Sequence, residues 1–193
     1  MPSFTRKAIM EAFMQLLNER PVNKIAVKDI VERCGINRNT FYYHFQDLPG
    51  LIEAIAKEEV DYVIGKYARV ESYEQCLNIV VEFILKNRRA TLHLYNSANR
   101  DMYGRYLMDI CRYVVETYFN TVFADRKLSE WDRSVIITSY KCHCYGLFID
   151  WLNSGLKEDI LPMLGRLCKL REGMIEEVLR RAEEDGKRTE ISG

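Results

Sequence analysis

Three observations predict that this 193-residue chain is all-α. Apolar residues recur at helical spacing along most of its length, while the strand-like alternation of apolar and polar residues is almost absent. Only 10 Gly and 4 Pro interrupt the pattern, and 48% hydrophobic residues provide enough apolar surface for a packed core. We therefore expect a three-helix head followed by a larger helical body, with about nine helices.

The first two helices are marked by clear stop signals. An apolar stripe from Phe4 to Leu17 predicts the first helix, and Pro21 soon follows it. Apolar residues from Ile25 to Cys34 predict a short second helix. It ends at Gly35, a residue type that readily adopts the left-handed conformation that closes a helix.

Side chains that cap helices mark the next two. Asn37 offers an oxygen at the start of a third helix, 38–45, and Asp47 does so for a fourth, 48–66. Five further helical stretches follow, separated by short polar breaks. They are expected at 73–87, 88–98, 101–123, 131–153 and 159–184.

These elements divide the chain into three parts. Residues 1–46 form the predicted head, since two short helices joined by 34–37 have the length and turn chemistry of a helix-turn-helix that binds DNA. Residues 47–184 form the predicted body for ligand binding and dimerisation. The tail 185–193 lacks apolar periodicity and is expected to be disordered.

The third helix carries side chains suited to DNA. Phe41 and Phe45 lie four residues apart on the face that packs inward, so the polar residues around them project outward. Asn and Thr side chains can hydrogen-bond to base edges, Arg to guanine, and Tyr hydroxyls to phosphates. The candidate DNA-binding residues are Lys24, Lys28, Asn37, Arg38, Asn39, Thr40, Tyr42, Tyr43 and His44.

The distribution of charge agrees with a DNA-binding head. The whole chain has a net charge of zero, which excludes a uniformly basic surface and a polybasic membrane anchor. Residues 1–46 nevertheless contain seven Lys or Arg against four Asp or Glu, a net charge of +3 that the rest of the chain offsets. A modestly positive head suits a protein that contacts a few phosphates per subunit.

Residues 6–51 resemble the DNA-binding domain of the TetR/AcrR family of transcriptional regulators. The resemblance rests on the run TFYYHF at 40–45, which follows GINR at 35–38. It implies a homodimer that binds a palindromic operator in double-stranded DNA and whose body senses an unknown small-molecule effector. Repression is the expected sign, because a dimer bound to its operator blocks polymerase. The C-terminal half also resembles the branch that contains dihydroxyacetone-kinase regulators.

Two positions depart from the family pattern. Ala26 stands where the family often has a Thr that caps the second helix and contacts phosphate, and Leu48 stands where a Lys commonly meets the DNA backbone. Both changes remove a non-specific contact, for which Lys24 and Lys28 would compensate. The alternative interpretation is a helical interaction protein, or a coactivator-dependent activator, with weakened DNA contact.

The helix predicted at 131–153 indicates a dimer. Between Ser134 and Leu152 only Lys141 and Asp150 are charged, so the helix must be covered on more than one side. A second subunit is the simplest cover, and the final helix would complete a four-helix interface; the alternative is the core of a monomer. The candidate interface residues are Ile136, His143, Gly146, Leu147, Leu167, Met174 and Val178.

Aromatic residues with polar tips are concentrated in the middle helices. This composition suits a cavity for an aromatic or polar-decorated small molecule, although it also suits an ordinary aromatic core. The candidate ligand-binding residues are Phe83, Tyr95, Met102, Tyr106, Tyr113 and Tyr140.

Motifs for catalysis or metal binding are missing from the sequence. The run 142–144 (CHC) contains metal-ligating residue types, but neighbours at i and i+2 on a helix diverge. There is no phosphate-binding Gly-rich loop and no hydrolase or metalloprotease signature. We therefore expect no enzymatic activity, no cofactor and no metal. The lack of a long apolar run or export signal, with six scattered Cys, leads us to expect a cytoplasmic protein with reduced thiols and no membrane partner.

Overall fold

The computed structural model describes residues 4–191, and the side chains of residues 4–184. Over that range the chain contains ten α-helices and no strand, so the predicted all-α class is confirmed. A 3-10 turn, Val22–Lys24, precedes the second helix. The bounds are α1 Phe4–Glu19, α2 Val27–Cys34, α3 Arg38–His44, α4 Leu48–Lys66, α5 Tyr73–Lys86, α6 Arg88–Tyr95, α7 Arg100–Val122, α8 Glu130–Asn153, α9 Leu161–Leu170 and α10 Met174–Ile191.

The single helix expected at 159–184 is in fact two helices. Gly173 adopts a φ of +77°, a left-handed conformation that interrupts the right-handed helix between α9 and α10. We expected the tail 185–193 to be disordered. The side chains of these residues lie outside the described part of the chain. The helical bounds of α10 nevertheless extend to Ile191.

The chain folds into two compact units. The first comprises the chain up to Gly65 together with Glu82–Leu107, and the second comprises Lys66–Val81 and the chain from Met108 onward. The first unit is larger than the predicted head of residues 1–46, because the three N-terminal helices pack together with α4, α6 and the start of α7.

The core of the first unit is built around α1. Phe13 and Phe41 are almost completely buried, and Ala90 from α6 joins the same cluster. Burial of this apolar surface is the main stabilising contribution to the helix-turn-helix. The other buried members are Ile9, Met10, Ala12, Leu16, Leu17, Val22, Ile25, Ile30, Val31, Phe45, Leu51, Ile52 and Ile55.

Two side chains tie α6 to the C-terminal end of α1. The Nδ1–H of His93 donates to the carbonyl of Leu17 across 2.6 Å, which satisfies one of the carbonyls left open in the last turn of α1. The Asn18 side chain accepts a hydrogen bond from the N–H of Ala90 at 3.3 Å and donates to the carbonyl of Met14 at 2.9 Å. We call these contacts of Asn18 and His93 the α1–α6 clamp.

The second unit has an aromatic and thiol-rich core. The ring of Tyr140 packs edge-on against Tyr73 at 5.0 Å, and Phe119 lies 5.9 Å from the same ring. The thiols of Cys111 and Cys144 are both buried, and the neighbouring Cys144 thiol together with burial raises the pKa of Cys111. The six cysteines are free thiols, as the sequence predicted, although Cys142 is exposed rather than buried.

None of the helices within residues 4–191 is both long enough and apolar enough to cross a bilayer.

Candidate nucleic-acid interface and ligand cavity

The turn between α2 and α3 has the geometry that the sequence predicted. Gly35 adopts a φ of +67°, and its N–H donates back to the carbonyls of Val31 and Glu32, which closes α2. The Asn37 side chain then accepts a hydrogen bond from the Thr40 N–H at 2.8 Å and caps α3. The Asp47 side chain caps α4 in the same way, by accepting from the Gly50 N–H at 2.8 Å.

The two faces of α3 differ sharply in burial. Phe41 and Phe45 are 0% and 5% exposed and hold the helix against the core. Tyr42 and Tyr43 are 54% and 85% exposed, although a protein of this size has ample core for aromatic rings. Arg38 and Asn39 are exposed on the same short helix, and His44 is half-buried. The outward side of the helix therefore carries aromatic and polar side chains that the described residues of its own unit leave largely exposed.

Two of the predicted DNA-binding residues also hold α3 in shape. The Thr40 hydroxyl donates to the Asn37 side-chain oxygen at 3.0 Å, in addition to the backbone capping bond. That oxygen therefore accepts two internal hydrogen bonds, and Asn37 and Thr40 position the start of α3. Arg38, Asn39, Tyr42 and Tyr43 then form the outward face of α3, the name we keep for these four residues.

The start of α2 is held by Asp29 instead of by the residue before the helix. Ala26 has no side chain able to cap, but its N–H donates to the Asp29 carboxylate at 2.8 Å. Arg20 lies 3.0 Å from the same carboxylate. The hydrogen bond from Ala26, followed by the positive charge of Arg20, lowers the pKa of Asp29. Asp29 thus supplies the half of a capping box that binds the Ala26 N–H, while no side chain at position 26 accepts from the N–H groups of α2.

Several arginines of the head serve its internal structure. Arg33 forms a bidentate ion pair with Glu19, at 2.5 and 2.9 Å, which joins α2 to α1. Arg6 forms an ion pair with Glu58 of α4. These contacts account for positive charge that the sequence alone suggested was available for phosphates.

The remaining lysines and Arg38 carry the charge that is available for DNA. Lys24 and Arg38 form no ion pair with any residue between 4 and 184 whose side chain is described. Lys28 has only a loose, exposed contact with Glu32 at 3.6 Å, the kind of pair that contributes little. Three predicted DNA-binding residues, Lys24, Lys28 and Arg38, thus remain exposed near the helix-turn-helix.

A cavity of about 60 Å³ lies within the first unit. Three of the predicted ligand-binding residues line it: Phe83, Met102 and Tyr106. The sequence did not indicate the contributions of α1 and α4, because α1 was assigned to the DNA-binding head and the ligand-binding candidates were chosen among the aromatic residues of the middle helices. The full lining is Phe13, Met14, Ile52, Ile55, Ala56, Glu59, Phe83, Asn87, Ala90, Thr91, Leu94, Met102, Tyr103 and Tyr106.

The other three predicted ligand-binding residues lie elsewhere. Tyr95 is buried in the first unit, with its ring 6.3 Å from that of Tyr103. In the second unit, the Tyr113 hydroxyl donates to the Tyr67 carbonyl at 3.0 Å, and Tyr140 belongs to the aromatic core. They do not share a cavity with Phe83, Met102 and Tyr106.

The predicted interface residues divide by exposure. Gly146, Met174 and Val178 are exposed on α8 and α10, in line with a surface that a second subunit could cover. Trp131 and Val135, which the sequence reasoning passed over, are 76% and 48% exposed on α8. They lie at helical spacing from Gly146, so the apolar stripe of α8 begins earlier than expected.

The other predicted interface residues are more buried. Ile136 is instead 6% exposed and packs within its own unit, because it lies on the buried side of α8 together with Tyr140 and Cys144. His143 lies 2.8 Å from the Tyr73 hydroxyl and 3.0 Å from Arg171, and burial followed by the charge of Arg171 lowers its pKa. Leu147 and Leu167 are half-buried.

Among the side chains of residues 4–184, no group of three His, Cys, Asp or Glu is arranged to hold a metal ion.

Comparison with known families shows to which family the chain belongs. The family model described as the C-terminal region of transcriptional regulators matches residues 71–173, more than half of the chain. The model of bacterial regulatory proteins of the tetR family matches residues 9–55, which include the helix-turn-helix. The chain belongs to the TetR family of transcriptional regulators. The resemblance seen in residues 6–51 is therefore confirmed.

Curated relatives in this family match less than half of the chain. An uncharacterized HTH-type transcriptional regulator, YvdT of Bacillus subtilis (strain 168), is 28% identical over 86 residues, which is 42% of this chain and 44% of YvdT. The dhaKLM operon transcriptional activator DhaS of Lactococcus lactis subsp. lactis (strain IL1403) is 26% identical over 84 residues, 44% of this chain and 45% of DhaS. The chain thus spans less than half the length of these relatives in sequence.

Solved structures extend the similarity of fold to most of the chain. The dihydroxyacetone kinase operon activator DhaS aligns with a TM-score of 0.72 at 16% identity, covering 90% of this chain and 97% of DhaS. The TetR family repressor AlkX from Dietzia sp. strain DQ12-45-1b aligns with a TM-score of 0.55 at 15% identity, covering 90% and 96%. At these identities the likeness concerns the fold alone.

Proposed function

We propose that this TetR-family protein is a homodimer that binds a palindromic operator through the outward face of α3 and represses transcription there. The observation that carries the proposal is the uncovered aromatic and polar surface of Tyr42, Tyr43, Arg38 and Asn39 on a helix held from behind by Phe41. Aromatic hydroxyls and an exposed guanidinium are suited to phosphates and base edges. The protein acts by binding and has no catalytic role.

Two subunits are needed for this recognition. A helix-turn-helix dimer reads two half-sites whose centres are about 34 Å apart, one turn of DNA. The exposed apolar residues Trp131 and Val135 on α8, with Met174 and Val178 on α10, support pairing through the second unit. A small molecule bound to the protein would change the affinity of this dimer for DNA, which is the effector role that we propose.

Repression follows from position, since a bound dimer excludes polymerase from an overlapping promoter. The similarity to DhaS, named as an activator, favours activation as a second candidate. Transcription in vitro from a template that carries the selected operator distinguishes the two. Added protein lowers the transcript yield if it represses, and raises it if it activates.

Selection of duplexes from a random pool by the purified protein tests the DNA-binding proposal. We expect enrichment of an inverted repeat with half-sites about one helical turn apart. The Arg38→Ala variant should enrich this site weakly, whereas Arg112→Ala, a matched change on α7, should enrich it as the wild type does. Failure of the wild type to enrich any sequence at low salt would refute the proposal and support the alternative of a protein-binding module.

A further inference from the structure

The cavity in the first unit differs from an ordinary packing defect in what surrounds it. It is bounded by α1, α4, the end of α5, α6 and α7, so five helices of one unit meet around it. Phe13 and Met14 bring α1, the first helix of the DNA-binding head, directly into its wall. A molecule in this cavity would therefore touch the DNA-binding part of the protein itself.

The wall is mostly apolar and has no unbalanced charge. Among the described residues that line it, only Glu59 is charged, and its carboxylate lies 2.7 Å from the Lys86 ammonium. Because an unpaired charge is costly to bury, this balanced pair favours a neutral occupant over an ion. The aromatic rings of Phe83, Tyr103 and Tyr106 add flat apolar surface.

One polar group in the wall offers a directional contact. Asn87 precedes α6, is half-buried, and its side chain does not cap that helix. By contrast, the hydroxyl of Thr91 already donates to the carbonyl of Ile84 at 3.2 Å. The side-chain amide of Asn87 is therefore suited to hydrogen-bond to a hydroxyl or carbonyl of an otherwise apolar ligand.

The size of the cavity requires movement of its wall. About 60 Å³ holds a few water molecules, well below the roughly 300–1,000 Å³ of typical ligand sites. Met14 on α1 and Met102 on α7 are unbranched and adaptable, so they provide the yielding part of the wall. Phe13 is rigid and belongs to the same core as Phe41 behind the outward face of α3.

We propose that this cavity binds a neutral, mostly apolar molecule with an aromatic or comparable ring and one hydrogen-bonding group, and that its entry displaces α1. The displacement works against the α1–α6 clamp and disturbs the core that holds α3. Binding of the ligand itself is independent of the function proposed above. The resulting loss of DNA affinity rests on that function.

Four single-ring probes test the ligand class on the full-length protein without DNA. Toluene and benzyl alcohol are neutral, benzoate is an anion and benzylamine is a cation. At millimolar concentration, toluene and benzyl alcohol should raise the melting temperature by about 2 °C or more, and benzyl alcohol should have the larger effect. Benzoate and benzylamine should give no shift. Equal shifts with all four probes, or shifts with none, would overturn the proposal.

Two variants place the binding in this cavity. Ala56→Leu fills it and should abolish the shift, whereas Ala68→Leu, the same change at an exposed position outside the cavity, should retain it. Asn87→Asp keeps the volume and adds a charge, so the preference should pass from benzyl alcohol to benzylamine. Asn87→Asp supplies the decisive result if Ala56→Leu fails to fold. Unchanged preference in Asn87→Asp would contradict the assignment.

A second measurement on the selected duplex tests the effect on DNA. Saturating benzyl alcohol should weaken the binding of wild-type protein by about 5-fold or more and leave that of Ala56→Leu unchanged. If the probes bind but DNA affinity stays the same, displacement of α1 is refuted while the ligand site stands. If no duplex is selected at all, the proposed function fails, and the melting shifts still decide the ligand site.

Discussion

At the scale of single residues, side chains two positions apart on α3 have opposite roles. Phe41 is completely buried, while Tyr43 two positions later is 85% exposed. The first secures the helix to the core through apolar burial, and the second presents its ring and hydroxyl to the surroundings. This contrast gives a direct way of separating the stability of the head from its proposed binding of DNA.

Phe41→Ala should strongly destabilise the first unit, because it removes a buried ring and leaves a cavity. We expect the free energy of unfolding to fall by about 3–5 kcal/mol in urea denaturation. Tyr43→Ala on the same helix should change it by less than about 0.5 kcal/mol and yet weaken DNA binding. Similar losses of stability in both variants would show that the two faces of α3 are assigned wrongly.

Asp29 should make the stability of the head depend on pH. The hydrogen bond from Ala26 and the charge of Arg20 lower its pKa in the folded state, so the ionised form stabilises the head above the ordinary value of about 3.9. That stabilisation is lost as the pH falls through the folded pKa. In denaturation between pH 7 and 3, Asp29→Asn should therefore lose less stability than the wild type.

Glu53→Gln provides the control for Asp29. It removes a carboxylate from the exposed side of α4 and should leave the pH dependence as it is in the wild type. Identical pH profiles for the wild type and Asp29→Asn would rule out this role for Asp29.

At the scale of helices, the sequence correctly predicted the start or end of a helix where residues close by in the chain determine it. Gly35, Asn37 and Asp47 each perform the capping role that the sequence predicted, since each acts on a neighbour within four positions. The break at Gly173 was missed, because apolar residues continue at helical spacing on both sides of it. A left-handed glycine interrupts the backbone and leaves that spacing intact.

Contacts between distant residues could not be predicted from the sequence. The α1–α6 clamp joins Asn18 to Ala90, which are 72 positions apart, and no local pattern connects them. The same reason explains why Phe13 and Met14 were not expected in the ligand cavity. The pairing of Arg33 with Glu19 likewise removed a cation that composition alone would assign to DNA.

The clamp itself can be tested by a double-mutant cycle of Asn18→Ala and His93→Ala. Each change removes one hydrogen-bonding side chain between α1 and α6, so each should lower the free energy of unfolding by about 0.5–1.5 kcal/mol. Both should speed amide exchange in the last turn of α1, which measures local opening. The double variant should differ from the sum of the two, because the clamp acts as a unit.

Asn23→Ala, at an exposed position of the turn before α2, serves as the control for this cycle and should leave amide exchange in α1 unchanged. Exchange in α1 that is insensitive to both clamp variants would show that these hydrogen bonds do not hold the two helices together.

At the scale of the whole molecule, the proposed dimer rests on the apolar stripe of α8. Val135→Glu would place an unpaired charge in the interface, and we expect the dimer dissociation constant to rise by about 10-fold or more in sedimentation equilibrium. The fluorescence of Trp131 should also move to longer wavelength as its ring becomes exposed to water. Val122→Glu, at an exposed site on α7, should alter neither property. A wild-type chain that sediments as a monomer would exclude the dimer.

The central claim is that the outward face of α3 recognises a specific DNA sequence. The most direct measurement is the ratio of affinities for the selected duplex and a scrambled duplex at one salt concentration, for the wild type and Arg38→Ala. We predict a ratio of about 1,000 or more for the wild type, and a loss of about 10-fold or more in affinity for the selected duplex in Arg38→Ala. Equal affinity of the wild type for both duplexes, or an unchanged affinity in Arg38→Ala, would contradict the claim.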